Sequence, residues 1–169
     1  EAWDLADKVD TLIEENAEYA FDRDYGYLTC CPTNIGTGIR VSAMLHLPVL
    51  IETGYINGVL ESCGKIGIAV RGVYGERSQA AGNMLQISNQ VTLGMSEKDI
   101  ISHLTAIIRQ VIEREKELRT DMVKQDRNRL EDKVYRAYGI LSNARTLCTD
   151  EFMRLVSDLR LGVDMGMFY

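Results

Sequence analysis

Cys31-Pro32-Thr33-Asn34-Ile35-Gly36-Thr37-Gly38-Ile39-Arg40-Val41-Ser42-Ala43-Met44-Leu45-His46-Leu47 changes character half-way along. Pro32, Asn34, Gly36 and Gly38 interrupt regular structure, so Cys30 to Gly38 reads as a loop. From Arg40 to Leu47 the residues alternate. Val41, Ala43, Leu45 and Leu47 fall on one side, Ser42, Met44 and His46 on the other. A period of two is that of a strand with unlike faces. A loop feeding such a strand is a place where a rigid scaffold carries chemistry.

Upstream, Tyr25 to Thr29 reads as a short strand, and Leu5, Val9, Leu12 and Ile13 mark an opening amphipathic helix. Downstream, residues 50–63 are expected to be helical despite Gly54 and Gly58. Lys65 to Arg71 reads as an apolar strand, Gly72 to Gly82 as a glycine-punctuated loop, and Met84 to Val91 as another strand. Ser96 and Asp99 have the spacing of a capping box. Ile100, Leu104, Ile107, Ile108, Val111 and Ile112 then predict a long amphipathic helix. A second helix is expected from about Lys124 to Leu141 on Leu130, Val134, Ala137 and Leu141. A last one, capped by Thr149, carries Phe152, Leu155, Val156 and Leu159. Sheet and loops thus come first and helices after.

With 169 residues, 46% of them hydrophobic, the chain can build a core. A net charge of −6 excludes a uniformly basic nucleic-acid footprint. Cys30, Cys31, Cys63 and Cys148 form no C-x-x-C pair, and with only His46 and His103 beside them no structural zinc site is expected. The cysteines read as reduced, as in a cytosolic protein. Glu1-Ala2-Trp3-Asp4 is no signal peptide, and no apolar run approaches the ~20 residues of a membrane helix. The start inside a helical pattern and the end at Gly166-Met167-Phe168-Tyr169 lead us to expect a fragment.

A second loop, Arg71-Gly72-Val73-Tyr74-Gly75-Glu76, also adjoins a strand. Singly, each residue has an ordinary reading: Cys31 as packing, Arg40, Arg71 and Glu76 as solvated surface, Gly36 and Gly38 as turns. Gly64-Lys65 lacks the following Ser or Thr of a phosphate loop.

Together, Cys31 to Thr37 resembles the Cys-Pro-Ser/Thr-Asn-aliphatic-Gly-Thr signature of the ATP:guanido phosphotransferases, the phosphagen kinase family. Arg71 to Glu76 resembles that family's Arg-Gly-x-x-Gly-Glu nucleotide loop, and Ile87-Ser88-Asn89 the segment after it. The resemblance implies an α+β fold: a mostly antiparallel sheet backed by helices, of the guanido kinase and glutamine synthetase-like kind. A helical C-terminal extension follows. It divides the chain into residues 1–122, part of the catalytic domain, and 123–169, the start of a helical domain.

The resemblance implies transfer of the γ-phosphoryl group of ATP, with Mg2+ bound through the nucleotide, to a guanidinium nitrogen. It assigns Arg40 and Arg71 to a phosphate clamp, for which planar bidentate donors suit. Val41, Ser42, Ala43 and Met44, with Gly72, Val73, Tyr74 and Gly75, would line the nucleotide. Glu76 would orient the guanidinium and accept its proton. Cys31 would act as a thiolate, with Thr33 donating to the sulfur and Asn34 shaping the loop. Cys30 falls outside the signature and is expected to be structural. No side chain is assigned to a metal.

The family's Asn-Glu-x-Asp-His carboxylate motif does not occur here, so the isolated chain is expected to start after it and to be inactive. Tyr74 and Met44 stand where small-guanidine kinases carry arginine and histidine. Arg71 to Glu76, Gly82-Asn83, Ile87 to Gly94 and Leu159-Arg160-Leu161-Gly162 resemble the bacterial McsB-type protein-arginine kinases. That branch implies protein substrates bearing arginine, a cytoplasmic stress response, Clp protease machinery and a possible homodimer. It implies neither nucleic acid nor membrane as partner. The branch's Arg-Asp-x-x-Arg-Ala motif does not occur. Two other readings stay open: a phosphagen kinase acting on free arginine or another small guanidine, and a nonenzymatic regulator keeping the fold.

Overall fold

The computed structural model describes residues 1–72 and 81–168. The chain opens with α1 (Ala2–Glu14) and a hairpin of two short strands, β1 (Phe21–Asp22) and β2 (Gly26–Tyr27). After the loop come β3 (Ser42–His46), α2 (Pro48–Glu52), α3 (Ile56–Lys65) and β4 (Ile68–Gly72). Then follow β5 (Met84–Asn89), the long α4 (Glu97–Asn143) and α5 (Thr149–Asp164). The fold is α+β, as expected.

β3, β5 and β4 form an antiparallel sheet with β5 in the middle. Gln86 pairs with Met44 on one side and Arg71 on the other, and Ile87 with Ala43 and Val70. Residues paired across antiparallel strands point the same way. Ser42, Met44, Ala69, Arg71, Gln86 and Ser88 therefore share one face. Ala43, Leu45, Val70, Leu85 and Ile87 share the other, which belongs to the core with Leu104 and Val111 of α4.

Several boundaries differ from the sequence reading. The helix expected over 50–63 is two helices, because Gly54 takes φ +75° and Pro48 starts the first one early. The next strand begins at Ile68, since α3 runs on to Lys65 and Gly67 turns the chain at φ +73°. The ladder expected over 40–47 covers only 42–46, where the Val41 amide donates instead to Asn89 Oδ1 at 2.7 Å. The short strand expected over 25–29 is only Gly26–Tyr27. The two helices expected after Ser96 are both present within α4 and meet at a break at Asp126 (φ −153°, ψ 72°), where Asp126 Oδ1 accepts from the Arg129 amide at 3.1 Å. Ser96 caps α4 as expected, accepting from the Asp99 amide at 3.2 Å. Thr149 is the first residue of α5, not its cap.

Glu115 ties the helices to the sheet. It is buried, and its carboxylate accepts from the Val49 and Leu50 amides at 3.2 and 2.8 Å, capping α2. Arg119 donates to it at 2.7 Å and reaches the His46 carbonyl and Asp164 on α5, each at 3.2 Å. α5 packs on α4, where Leu130, Val134 and Ala137 are buried. Leu155 and Leu161 of α5 are buried too, whereas Phe152 and Val156 face outward. Leu5, Val9, Leu12 and Ile13 of α1 are all exposed. Among the described residues, no helix is long and apolar enough to cross a membrane.

Candidate active site

Pro32–Asn34 form one 3-10 turn, closed by the Asn34 amide donating to the Cys31 carbonyl at 3.0 Å. The Thr29 hydroxyl donates to the same carbonyl at 2.6 Å. The Thr92 hydroxyl lies 2.8 Å from the Ile35 carbonyl and 3.2 Å from that of Thr33. The Thr92 carbonyl accepts from the Thr37 amide at 3.0 Å. Gly36, at φ +108°, bridges to Tyr27 and lies so close to Thr92 that a Cβ would stand 2.4 Å from its carbonyl oxygen. The loop is thus held from both sides.

The turn presents Cys31 to solvent, with Thr33 Oγ1 2.9 Å from its sulfur. The Thr33 hydroxyl, then the Thr33 backbone amide, stabilise the thiolate and lower the Cys31 pKa below that of an ordinary thiol. Cys30 beside it is exposed, as is Cys148; Cys63 is buried, and burial pushes its thiol pKa up. All four cysteines are free.

Asn89 fastens the loop's exit. Its side chain accepts from the Val41 amide at 2.7 Å and donates to the Ile39 carbonyl at 3.0 Å. That leaves Arg40 at the edge of the sheet, its guanidinium 3.5 Å from Ser88 Oγ on β5. Arg71 stands on the same face, opposite Gln86, and Gln86 donates to Ser42 Oγ at 2.9 Å. Arg40, Ser42, Met44 and Arg71 are therefore brought to one face, with β5 between the two arginines. Val41 packs against the core and Ala43 pairs with Ile87 on the inner face, so neither offers its side chain there. Gly72 is buried opposite Leu85. Val73, Tyr74, Gly75 and Glu76, with Arg77 and Gln79, lie outside the described residues.

Residues 1–118 match the family model described as "ATP:guanido phosphotransferase, C-terminal catalytic domain". The chain belongs to this family. Residues 127–169 match a second model, the protein-arginine kinase McsB C-terminal domain. The protein-arginine kinase of Caldanaerobacter subterraneus subsp. tengcongensis is 54% identical over 167 residues, 99% of this chain and 50% of the relative. That of Brevibacillus brevis is 52% identical over 99% of this chain and 47% of the relative. The chain thus spans about half the length of these curated relatives.

Among solved structures, the duplicated taurocyamine kinase of Schistosoma mansoni, with bound transition state analog components, is 31% identical with a TM-score of 0.57. It aligns with 64% of this chain and 15% of its own. A lombricine kinase is 27% identical, with a TM-score of 0.57, over 66% of this chain and 30% of its own.

Sequence reasoning matched Ile87-Ser88-Asn89 to the family without reading what Asn89 does, and gave Thr92 no role. Polar residues at the end of an apolar strand were the available signal: Ser88, Asn89 and Thr92 are all buried. Buried polar groups need partners, and here the partners are the loop.

Proposed function

We propose that the whole protein is a protein-arginine kinase, moving the γ-phosphoryl group of ATP onto the guanidinium of arginine residues in proteins. The observation that carries this is the shared face of Arg40 and Arg71 beside a loop that presents a thiolate-favouring Cys31. Two guanidinium groups flanking β5 suit the charged oxygens of a transferring phosphoryl group. Backbone of Val41 to Met44 and Gly72 to Gly75 lines the nucleotide. Cys31, assisted by Thr33, meets the positive charge of the incoming guanidinium, and Asn34 closes the turn that aims it.

A guanidinium nitrogen becomes a nucleophile only as its proton departs, and Glu76 accepts that proton. The new P–N bond forms as the bond from the γ-phosphorus to the bridging oxygen breaks, and ADP leaves with that oxygen. Among the described residues, no group of three His, Cys, Asp or Glu side chains converges to hold a metal. In this reading magnesium is carried on the nucleotide, where it would supply charge neutralisation between phosphates.

Residues 1–122 form the catalytic part and 123–169 the start of a helical domain in this reading. Protein substrates, a bacterial cytoplasmic stress response, Clp protease partners and a homodimer belong to it as well. The relatives named protein-arginine kinase support the branch. The second reading, a small-guanidine kinase, is favoured by the taurocyamine and lombricine kinase neighbours.

The test incubates the whole protein with Mg-ATP and either an arginine-rich protein or free arginine, and maps acid-labile phosphate by mass spectrometry. Phosphoarginine in the protein, lost in Glu76→Gln, is expected. Phosphate only on free arginine moves the protein to the small-guanidine branch. Transfer to neither leaves a regulator.

A further inference from the structure

We propose that Ser157 is a positioning residue for phosphoryl transfer, holding the step by which the chain leaves the Glu76-bearing segment and enters β5. The inference rests on the phosphotransfer reading above. It assigns to the C-terminal segment a part in the active site's geometry.

Ser157 lies mid-way along α5, 3% exposed. A buried hydroxyl needs partners, and a helical serine commonly finds one in its own preceding turn. Here two partners come from outside α5, one from the end of β3 and one from the turn that enters β5. Asn83 Nδ2 donates to Ser157 Oγ at 2.7 Å, and His46 Nε2 lies 2.8 Å from the same oxygen. His46 ends β3 and pairs with Met84, the first residue of β5. The Asn83 carbonyl accepts from the Leu47 amide at 2.9 Å. One oxygen on α5 thus gathers the end of β3 and the start of β5.

The backbone at this step is costly to hold. Asn83 has φ +56°, the only positive φ outside glycine among the described residues. Gly82 before it has φ +60°, and a Cβ there would stand 2.9 Å from the Met153 carbonyl of α5. Left-handed conformations persist where their surroundings over-determine them. The surroundings here are α5: Met153 against Gly82, and Ser157 bonded to Asn83. Gly72, at the other end of the intervening segment, is fixed by pairing with Leu85 on β5. Glu76 lies in the stretch between these two anchors. A misplacement of about 1 Å in a reacting group can cost about a hundredfold in rate.

The experiment compares Ser157→Ala, Asn83→Gly and Leu155→Ala in the whole protein. Glycine keeps the left-handed backbone at position 83 while removing the amide donor, so Asn83→Gly cuts the same bond without touching α5. Leu155→Ala removes a buried apolar side chain from α5 and serves as the packing control. We expect Ser157→Ala and Asn83→Gly each to lower kcat about tenfold, with KM for Mg-ATP within about threefold. The double variant falls no further than either single one. Leu155→Ala is expected to lose more thermal stability and to keep kcat within about twofold.

Amide exchange at residues 82–86, which needs no turnover, should quicken in the first two variants more than in the third. Unchanged kcat in Ser157→Ala, or losses that track stability across all three, would overturn the proposal. If the wild type transfers phosphate to no guanidine, the functional reading fails. Exchange then decides alone whether Ser157 holds the step: equal exchange in all three variants refutes it. If Ser157→Ala does not fold, Asn83→Gly against Leu155→Ala gives the same decision.

Discussion

Gly36 and Thr92 are in backbone contact, with only 2.4 Å between the Thr92 carbonyl oxygen and the place a Cβ on Gly36 would occupy. Two separate requirements fall on one residue, because φ +108° is also closed to L side chains. Gly36→Ala therefore has to move the loop that carries Cys31 or the segment that carries Thr92. We expect kcat/KM of the whole protein to fall about a hundredfold, the scale of a misplacement of about 1 Å in a reacting group. Steady-state kinetics on a protein substrate check it, and activity near wild type would show that the loop tolerates displacement.

The Cys31–Thr33 pair makes a prediction that needs no substrate. Thr33 holds the Cys31 pKa low, chiefly through its hydroxyl. Thr33→Val removes that donor and raises the thiol toward its ordinary value, so less thiolate is present near neutral pH. Alkylation of Cys31 by iodoacetamide should slow at pH 7, and its pH profile should move upward. Peptide mapping in a Cys30→Ser background isolates the reacting sulfur. A profile that stays in place would mean that Thr33 does not tune Cys31.

Much of this loop and strand is legible in the sequence alone. Alternation from Arg40 to Leu47 separated the open face, with Ser42 and Met44, from the inner one, with Ala43 and Leu45. The Ser96–Asp99 box and the stripe Leu130, Val134, Ala137 marked helices because they are local, periodic signals. The break at Gly54 was missed because an apolar pattern runs across it, and only the positive φ cuts the helix. The helices either side of Asp126 were legible as local, periodic signals, although the break itself, one non-helical residue, leaves no period to read. The clamps by Asn89 and Thr92 and the Ser157 node had no local signature. Each joins groups far apart in sequence through single hydrogen bonds, and such pairings leave no period to read. The grouping of Cys31 with Arg40 and Arg71 came from resemblance, since each alone reads as surface or packing.

Glu115 bears the largest expected single-site loss of stability. Its carboxylate meets two helix amides and the Arg119 guanidinium in a nearly dry setting, with side-chain exposures of 4% for Glu115 and 15% for Arg119. Glu115→Ala strands all three donors. Removing one partner of a buried pair costs about 3–5 kcal/mol, so urea denaturation should register a loss of that order. Glu115→Gln keeps an acceptor for one amide and should lose less. Equal, small losses in both would show that water replaces the carboxylate.

His46 sets a pH dependence of stability. Its ring is half-buried, and Nδ1 is buried without a hydrogen-bond partner. Burial first, and then the Arg119 guanidinium, push its pKa below the ordinary 6.5; Arg160 adds to this, while Glu115 and Asp164 oppose it. A native state that resists protonation binds fewer protons than the unfolded chain once the pH drops below about 6.5. The contribution of a neutral His46 is therefore complete above that pH and is lost as the pH falls. In a His46→Gln variant the position no longer titrates, and glutamine can still reach toward Ser157. Between pH 7.5 and 5 the Tm of the wild type should fall more steeply than that of the variant. Parallel slopes would mean that the ring is protonated in the native state as readily as in the unfolded one. The Ser157 node would then have to accommodate a charged imidazolium beside Arg119.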